Sequence, residues 1–306
     1  MPKPDAPTMT RHGARLAGLT LLVLAGTLLG AWLAGRPAAA GGVPALTEAQ
    51  WLSGHSADWR VGRLASNPNI LVIEFPSLAA QARALNRMAA LLEKRDTPRQ
   101  RVLDDAALAK AIRDAGDTPE TYLFGHDHPS DAMARFFSLA AQQRVPLNAQ
   151  EQRLHALLLA ERLLGDGTRP AHPPQALVTF TALQPDDPAT PVDEGVDPAR
   201  REAVLRHELS HGEFFTRPAY REQCWAFWRG LSDAQRSVWR DFLAGLDYVA
   251  ADEELMVNET QAFLMHTADA RVFSAELLGV AQADLDAMRL RFRAAAALSS
   301  ASGAGK

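Results

Sequence analysis

The residues of this chain best suited to chemistry are two histidines one helical turn apart with an acid beside the first. In His207-Glu208-Leu209-Ser210-His211 the imidazoles stand at i and i+4, a spacing that stacks side chains on one face of a helix. Two imidazoles so placed can reach one tetrahedral ion, and zinc is the ion such donors favour. Glu208 is directed to the side of the metal, where it can take a proton from the water that zinc activates. The plain alternative is a helix carrying two incidental histidines.

A catalytic zinc site needs a third protein ligand and an open fourth position. A third His six residues after the second is excluded, because that position is Arg217. The search moves to carboxylates on a later helix, where Asp252, Glu253, Glu254 and Glu259 stand. Glu259 is the best choice. Ala262, three residues on, shares its face and is small enough to let the two helices approach closely. Glu253 or Glu254 remains an alternative, and Glu213 a weaker one so close to His211. For the developing oxyanion, hydrolysis needs a donor. His266, seven residues after Glu259 on the same helical face, is the first candidate, with Tyr248 and Tyr220 behind it. A helix-capping role for His266 competes with this.

This arrangement resembles the gluzincin group of zinc metallopeptidases over two short segments, 206–212 and 258–262. The resemblance implies zinc ligands His207, His211 and Glu259, with Glu208 as the base, in a zincin-like metallopeptidase lobe. Where one gluzincin branch has an Asp four residues after the ligand Glu, this chain has Phe263, so a ligand His must find another supporting partner.

The elements that would position these residues read as α+β, mostly helical, with a small sheet. Residues 69–75 are β-branched and apolar and end at Pro76, as a buried strand does; 176–180 is a second, shorter strand. Apolar spacing predicts helices over 78–94, 104–114, 130–143 and 148–164, the last opened by Asn148 with Glu151 three places on. Asp197 and Pro198 open the motif helix, which is expected to stop near Gly212. Helices at 220–230, 233–243, 252–266 and 274–298 follow. The chain divides into a linker at 36–66, an N-terminal lobe at 67–168, the zinc-binding lobe at 169–298 and a disordered tail at 299–306. A boundary near 165–174 separates two lobes or lies inside one domain.

Between the predicted helices at 104–114 and 130–143, Gly125-His126-Asp127-His128-Pro129 punctuates the chain as a turn does. Two His around an Asp also suit a second metal or the border of a cleft, and the cleft is preferred. Trp225, Phe227, Trp228, Trp239 and Phe242 read as core. So does Cys224, the single cysteine, which cannot form an internal disulfide. The cationic runs 95–101 and 289–293 read as solvated faces.

With 306 residues, 47% apolar and 22% charged, the chain can bury a core, and a net charge of −4 gives no reason to expect nucleic acid as a partner. Residues 16–35 carry no charge and are long enough to cross a bilayer as a helix. Lys3, Arg11 and Arg15 precede them, placing 1–15 in the cytoplasm and the rest on the periplasmic or extracellular side. An uncleaved transmembrane anchor is preferred over a signal peptide cut near Ala38-Ala39-Ala40. The expected function is zinc-dependent hydrolysis of peptide bonds in a peptide or protein substrate outside the cytoplasmic membrane. A zinc amide hydrolase of cell-wall peptides and a non-catalytic exported binding or scaffold protein are the alternatives.

Overall fold

In the computed structural model of the chain, residues 42–165, 170, 173–190 and 192–303 are described. The stretch 1–15, expected in the cytoplasm, and the segment 16–35, expected to be a transmembrane anchor or signal peptide, lie outside them, as do 304–306. Among the described residues no helix is long and apolar enough to cross a membrane.

The fold is mostly helical with one mixed sheet, α+β as the pattern of elements implies. Its elements begin with β1 (Ala45–Leu46), α1 (Glu48–Ser53), β2 (Arg60–Leu64) and β3 (Asn67–Phe75). Thus 45–64, expected to be linker, is folded chain, and Trp51 of α1 is fully buried. Next come α2 (Leu78–Leu92), α3 (Asp105–Asp114), β4 (His126–Pro129), α4 (Ser130–Gln143), α5 (Ala149–Ala160) and β5 (Ala176–Thr181). Asn148 and Glu151 form the expected reciprocal cap at the start of α5. Among the described residues the five strands lie in the order β1-β2-β3-β5-β4. β3 and β5 run parallel, and β4 pairs antiparallel to β5 at the sheet's end. Because β3 and β5 are neighbours in one sheet, the described residues on either side of 165–174 belong to one compact unit that starts at Val43.

Alternation along the strands sends side chains to two faces. Leu71, Ile73, Phe75 and Leu177 pack with residues of α2, α4 and α5, such as Met88, Phe136 and Leu158. Ile70, Val72, Val178 and Phe180 pack on the other face against Leu205 and Leu209. These two leucines belong to α6 (Pro198–Thr216), the motif helix, whose N-cap Asp197 accepts from Arg200 N–H. α6 continues past Gly212, where the sequence was expected to end it; the glycine instead lets the helix lie close on the sheet, since a Cβ there would meet Ile70 Cδ1 at 2.8 Å. Arg201 clamps the same helix to the sheet by donating to Glu74 at 2.6 Å and to the carbonyls of Trp51, Leu52, Gly54 and Thr181.

The rest is helical: α7 (Pro218–Arg229), α8 (Asp233–Gly245), α9 (Glu253–His266), α10 (Ala275–Leu278) and α11 (Gln282–Gly303). Their core holds Trp228, Trp239, Phe263 and Cys224. Burial pushes the Cys224 thiol up to about 12, so it is an inert core group. The helix expected over 274–298 is interrupted at Gly279, whose φ is 76°. Its second half then runs on to Gly303, into the stretch expected to be disordered.

Candidate metal centre

α6 and α9 bring the motif and the downstream acid together. His207 Nε2 lies 3.6 Å from Glu259 Oε2, and His211 Nε2 lies 3.7 Å from the same oxygen. The edge of a tetrahedron built on zinc–ligand bonds is about 3.3 Å, so these three atoms stand nearly where one ion would hold them. Glu259 Oε2 and His211 Nε2 are buried and have no hydrogen-bond partner, as ligand atoms kept for a cation would be. Burial lowers His207 to about 3 and His211 to about 4, so both rings are neutral at pH 7 with a lone pair to give. The donor set therefore fits zinc.

The tautomer of His207 follows from its neighbour. The Thr267 hydroxyl donates its one proton to the Ala262 carbonyl at 3.1 Å. It also lies 2.7 Å from His207 Nδ1; with its proton on the carbonyl it accepts from Nδ1–H, the tautomer that leaves the lone pair on Nε2. Thr267 thus supplies the support that Phe263 cannot. Phe263 instead packs edge-on against the His207 ring at 4.7 Å between centroids. Gln261 of α9 donates to Ser210 Oγ of α6 at 3.1 Å, tying the two helices at the motif.

Glu208 projects beside this group into a cavity of about 360 Å³ whose walls include Asp127, Gly125, His207 and Tyr248. Gly125 makes room for it: a Cβ there would lie 2.4 Å from Glu208 Oε1. Asp127 of β4 comes from the opposite wall, 3.7 Å from His211 Nε2. Burial, and then the neighbouring carboxylates, raise Asp127 and Glu208 well above the ordinary carboxylate range. Burial also raises Glu259, while the His211 and Tyr248 groups beside it pull it back. A cation bound among these acids would reverse these shifts and favour their charged forms.

The remaining expected residues sort by geometry. Burial and the surrounding carboxylates hold the Tyr248 phenol protonated, its pKa well above the usual value, so it is a donor facing the cavity. His266 is not at this cavity. Its Nε2 lies 3.1 Å from the Tyr220 hydroxyl, and it lines a separate hollow with Arg206 and Ser210. Seven residues return a side chain to the same helical azimuth but carry it about 10 Å along the axis, which is why His266 and Glu259 serve different places. Tyr220 in turn donates to Gln261 at 2.6 Å. Glu253 accepts from Trp228 and Arg240, Glu254 pairs with Arg221, and Glu213 pairs with Arg217.

Thr267 had no sequence signal as part of the site; Gly125 and Asp127 belong to the stretch read as the border of a cleft, and both line the cavity. The alternation His-Asp-His after a glycine marks a strand once a partner strand is known. The expected turn at 126–129 is strand β4, because pairing with β5 outweighs the local punctuation. No family model, curated protein or solved structure matches this chain.

Proposed function

We propose that the chain is a zinc-dependent hydrolase of peptide bonds, of gluzincin type, with its ion on His207, His211 and Glu259. The observation that carries this reading is the meeting of these three donors 3.6–3.7 Å apart beside a cavity that Glu208 enters. Bound there, zinc would supply a Lewis acid able to make water nucleophilic at neutral pH. Glu208 takes the proton of the attacking water and returns it to the leaving amine. Thr267 holds the tautomer of His207, and Asp127 faces Glu208 and keeps its carboxyl directed at the cavity. Tyr248, protonated, lining the cavity and hydrogen-bonded to Glu259, is the donor that turns to the developing oxyanion; this role passes to it from His266.

A peptide suits the site because, among the described residues, β4 is the last strand of the sheet and pairs on one side only, with β5. An extended chain can add to such an edge through its backbone. The uncharged run at 16–35 with cations before it supports action outside the cytoplasmic membrane.

The test is Glu208→Gln in the purified full chain, assayed on a quenched-fluorescence peptide library and, in parallel, on purified cell-wall peptides. Retained zinc with lost hydrolysis is expected. Full activity with retained zinc would refute the mechanism, and cleavage of the cell-wall peptides alone would move the substrate class.

A further inference from the structure

Strand β4 has a second face that the proposed reaction does not use. Asp127 pairs with Val178, on the α6 side of the sheet. His126 and His128 pair with Thr179 and Leu177, whose side chains point the other way: Thr179 donates to Gln81 of α2, and Leu177 packs in the α2 core. The two imidazoles thus stand together on the α2 side, 5.7 Å apart between ring centroids. Glu93, the residue that ends α2, brings its carboxyl to them. One ligand atom from each of Glu93, His126 and His128 lies within 4.8 Å of the others.

These groups are buried and unpaired. His126 is 1% exposed, His128 2% and Glu93 9%. Both ring nitrogens of His126, Nε2 of His128 and Oε1 of Glu93 have no hydrogen-bond partner, whereas buried polar groups are bonded in the great majority of cases. Glu93 also sits at the negative end of a helix dipole, where a carboxylate is unfavourable without a cation. Lys94 and Arg99 lie near enough to attract the Glu93 carboxylate, but among the described residues neither forms an ion pair with it. Lys94 Nζ lies over the Tyr122 ring at 4.4 Å, and Arg99 donates to the carbonyls of Leu91 and Lys94.

We infer that Glu93, His126 and His128 hold a second divalent transition-metal ion, on the opposite face of β4 from His207, His211 and Glu259. Two imidazoles and one carboxylate select zinc or a first-row neighbour over magnesium or calcium. Glu93 lines the cavity that Glu208 enters and the two histidines do not, so the site opens to that cavity at its Glu93 side. The inference does not depend on the first site being catalytic.

Zinc per chain, measured on the full chain after saturation with Zn²⁺ and dialysis, tests it. Two ions are expected in the unmodified chain and one each in Glu93→Gln, His128→Leu and His211→Ala. Should the substituted chains fail to fold, Co²⁺ titration of the unmodified chain decides: visible absorption saturating at two equivalents supports the second site, and at one overturns it. A single ion lost in His211→Ala but kept in Glu93→Gln overturns the second site and leaves the first. The reverse pattern supports the second site and removes the proposed catalytic one.

Discussion

On α6 the rings of His207 and His211 lie 4.7 Å apart between centroids; on β4 those of His126 and His128 lie 5.7 Å apart. Both pairs bring two imidazoles to one point, the first by the helical period and the second by the strand period. The intervening residues differ in consequence. On the helix, Glu208 follows His207 and still reaches the same cavity. On the strand, Asp127 is turned to the opposite face and comes within 3.7 Å of His211. The helix pair is thus nearly complete within one motif, whereas the strand pair borrows Glu93 from α2 and lends Asp127 to its neighbour. The difference teaches that the strand period sends neighbouring residues to opposite faces of a thin wall, whereas the helical period gathers residues four apart, and the one beside the first, at one site.

The largest expected effect separates chemistry from binding. Glu208→Gln should lower hydrolysis by about two to four orders of magnitude while both histidine pairs keep their metal, read by turnover and metal content together. Arg201→Met should come next, by loosening the helix pair at its anchor. It removes the 2.6 Å partner of the buried Glu74 carboxylate, which keeps Arg60 at 3.3 Å, and leaves the bonded carbonyls unsatisfied, a loss of about 1–3 kcal/mol in chemical denaturation. Gly125→Ala acts on the acid where the two walls meet. Its Cβ, 2.4 Å from Glu208 Oε1, should displace that group and cost up to about a hundredfold in turnover, with metal content unchanged.

A subtler change should touch the helix pair alone. Thr267→Val removes the acceptor for His207 Nδ1–H and should weaken metal binding there by about 10–100-fold. Thr267→Ser should restore it, and in neither variant should binding at His126 and His128 change. The smallest effect concerns the cap of α6. Hydrogen bonding by Arg271 lowers Asp197 from 3.8 to about 2 and lowers Asp269 as well. Carboxyls depressed in the folded chain stabilise it above their unfolded value, and that contribution disappears as pH falls through the folded value. Arg271→Gln should therefore melt below the unmodified chain at neutral pH and converge with it near pH 2.

Much of the helix side was legible beforehand because its signals are local. Asp197 and Pro198 announced the start of α6, the i and i+4 histidines stated their own geometry, and Asn258-Glu259 stood on a helix whose bounds, Glu253–His266, follow from its cap and its period. What failed there was distance along the axis, as with His266. The strand side was illegible for a physical reason. His-Asp-His-Pro acquires alternating faces only through its pairing with β5, and that partner lies far along the chain. β1, α1 and β2 were missed likewise: two residues of β1 carry no periodicity, and the burial of Trp51 depends on α6 and the sheet.

The central assignment is that His207, His211 and Glu259 share one ion. Anomalous diffraction at the zinc edge, from crystals of the full chain grown with Zn²⁺, tests it most directly. A peak about 2.0–2.2 Å from Nε2 of both histidines and from a Glu259 oxygen is the expected result. A zinc peak bound through Asp127 and Glu208 with Glu259 unliganded, or no peak at His207 and His211, would contradict it.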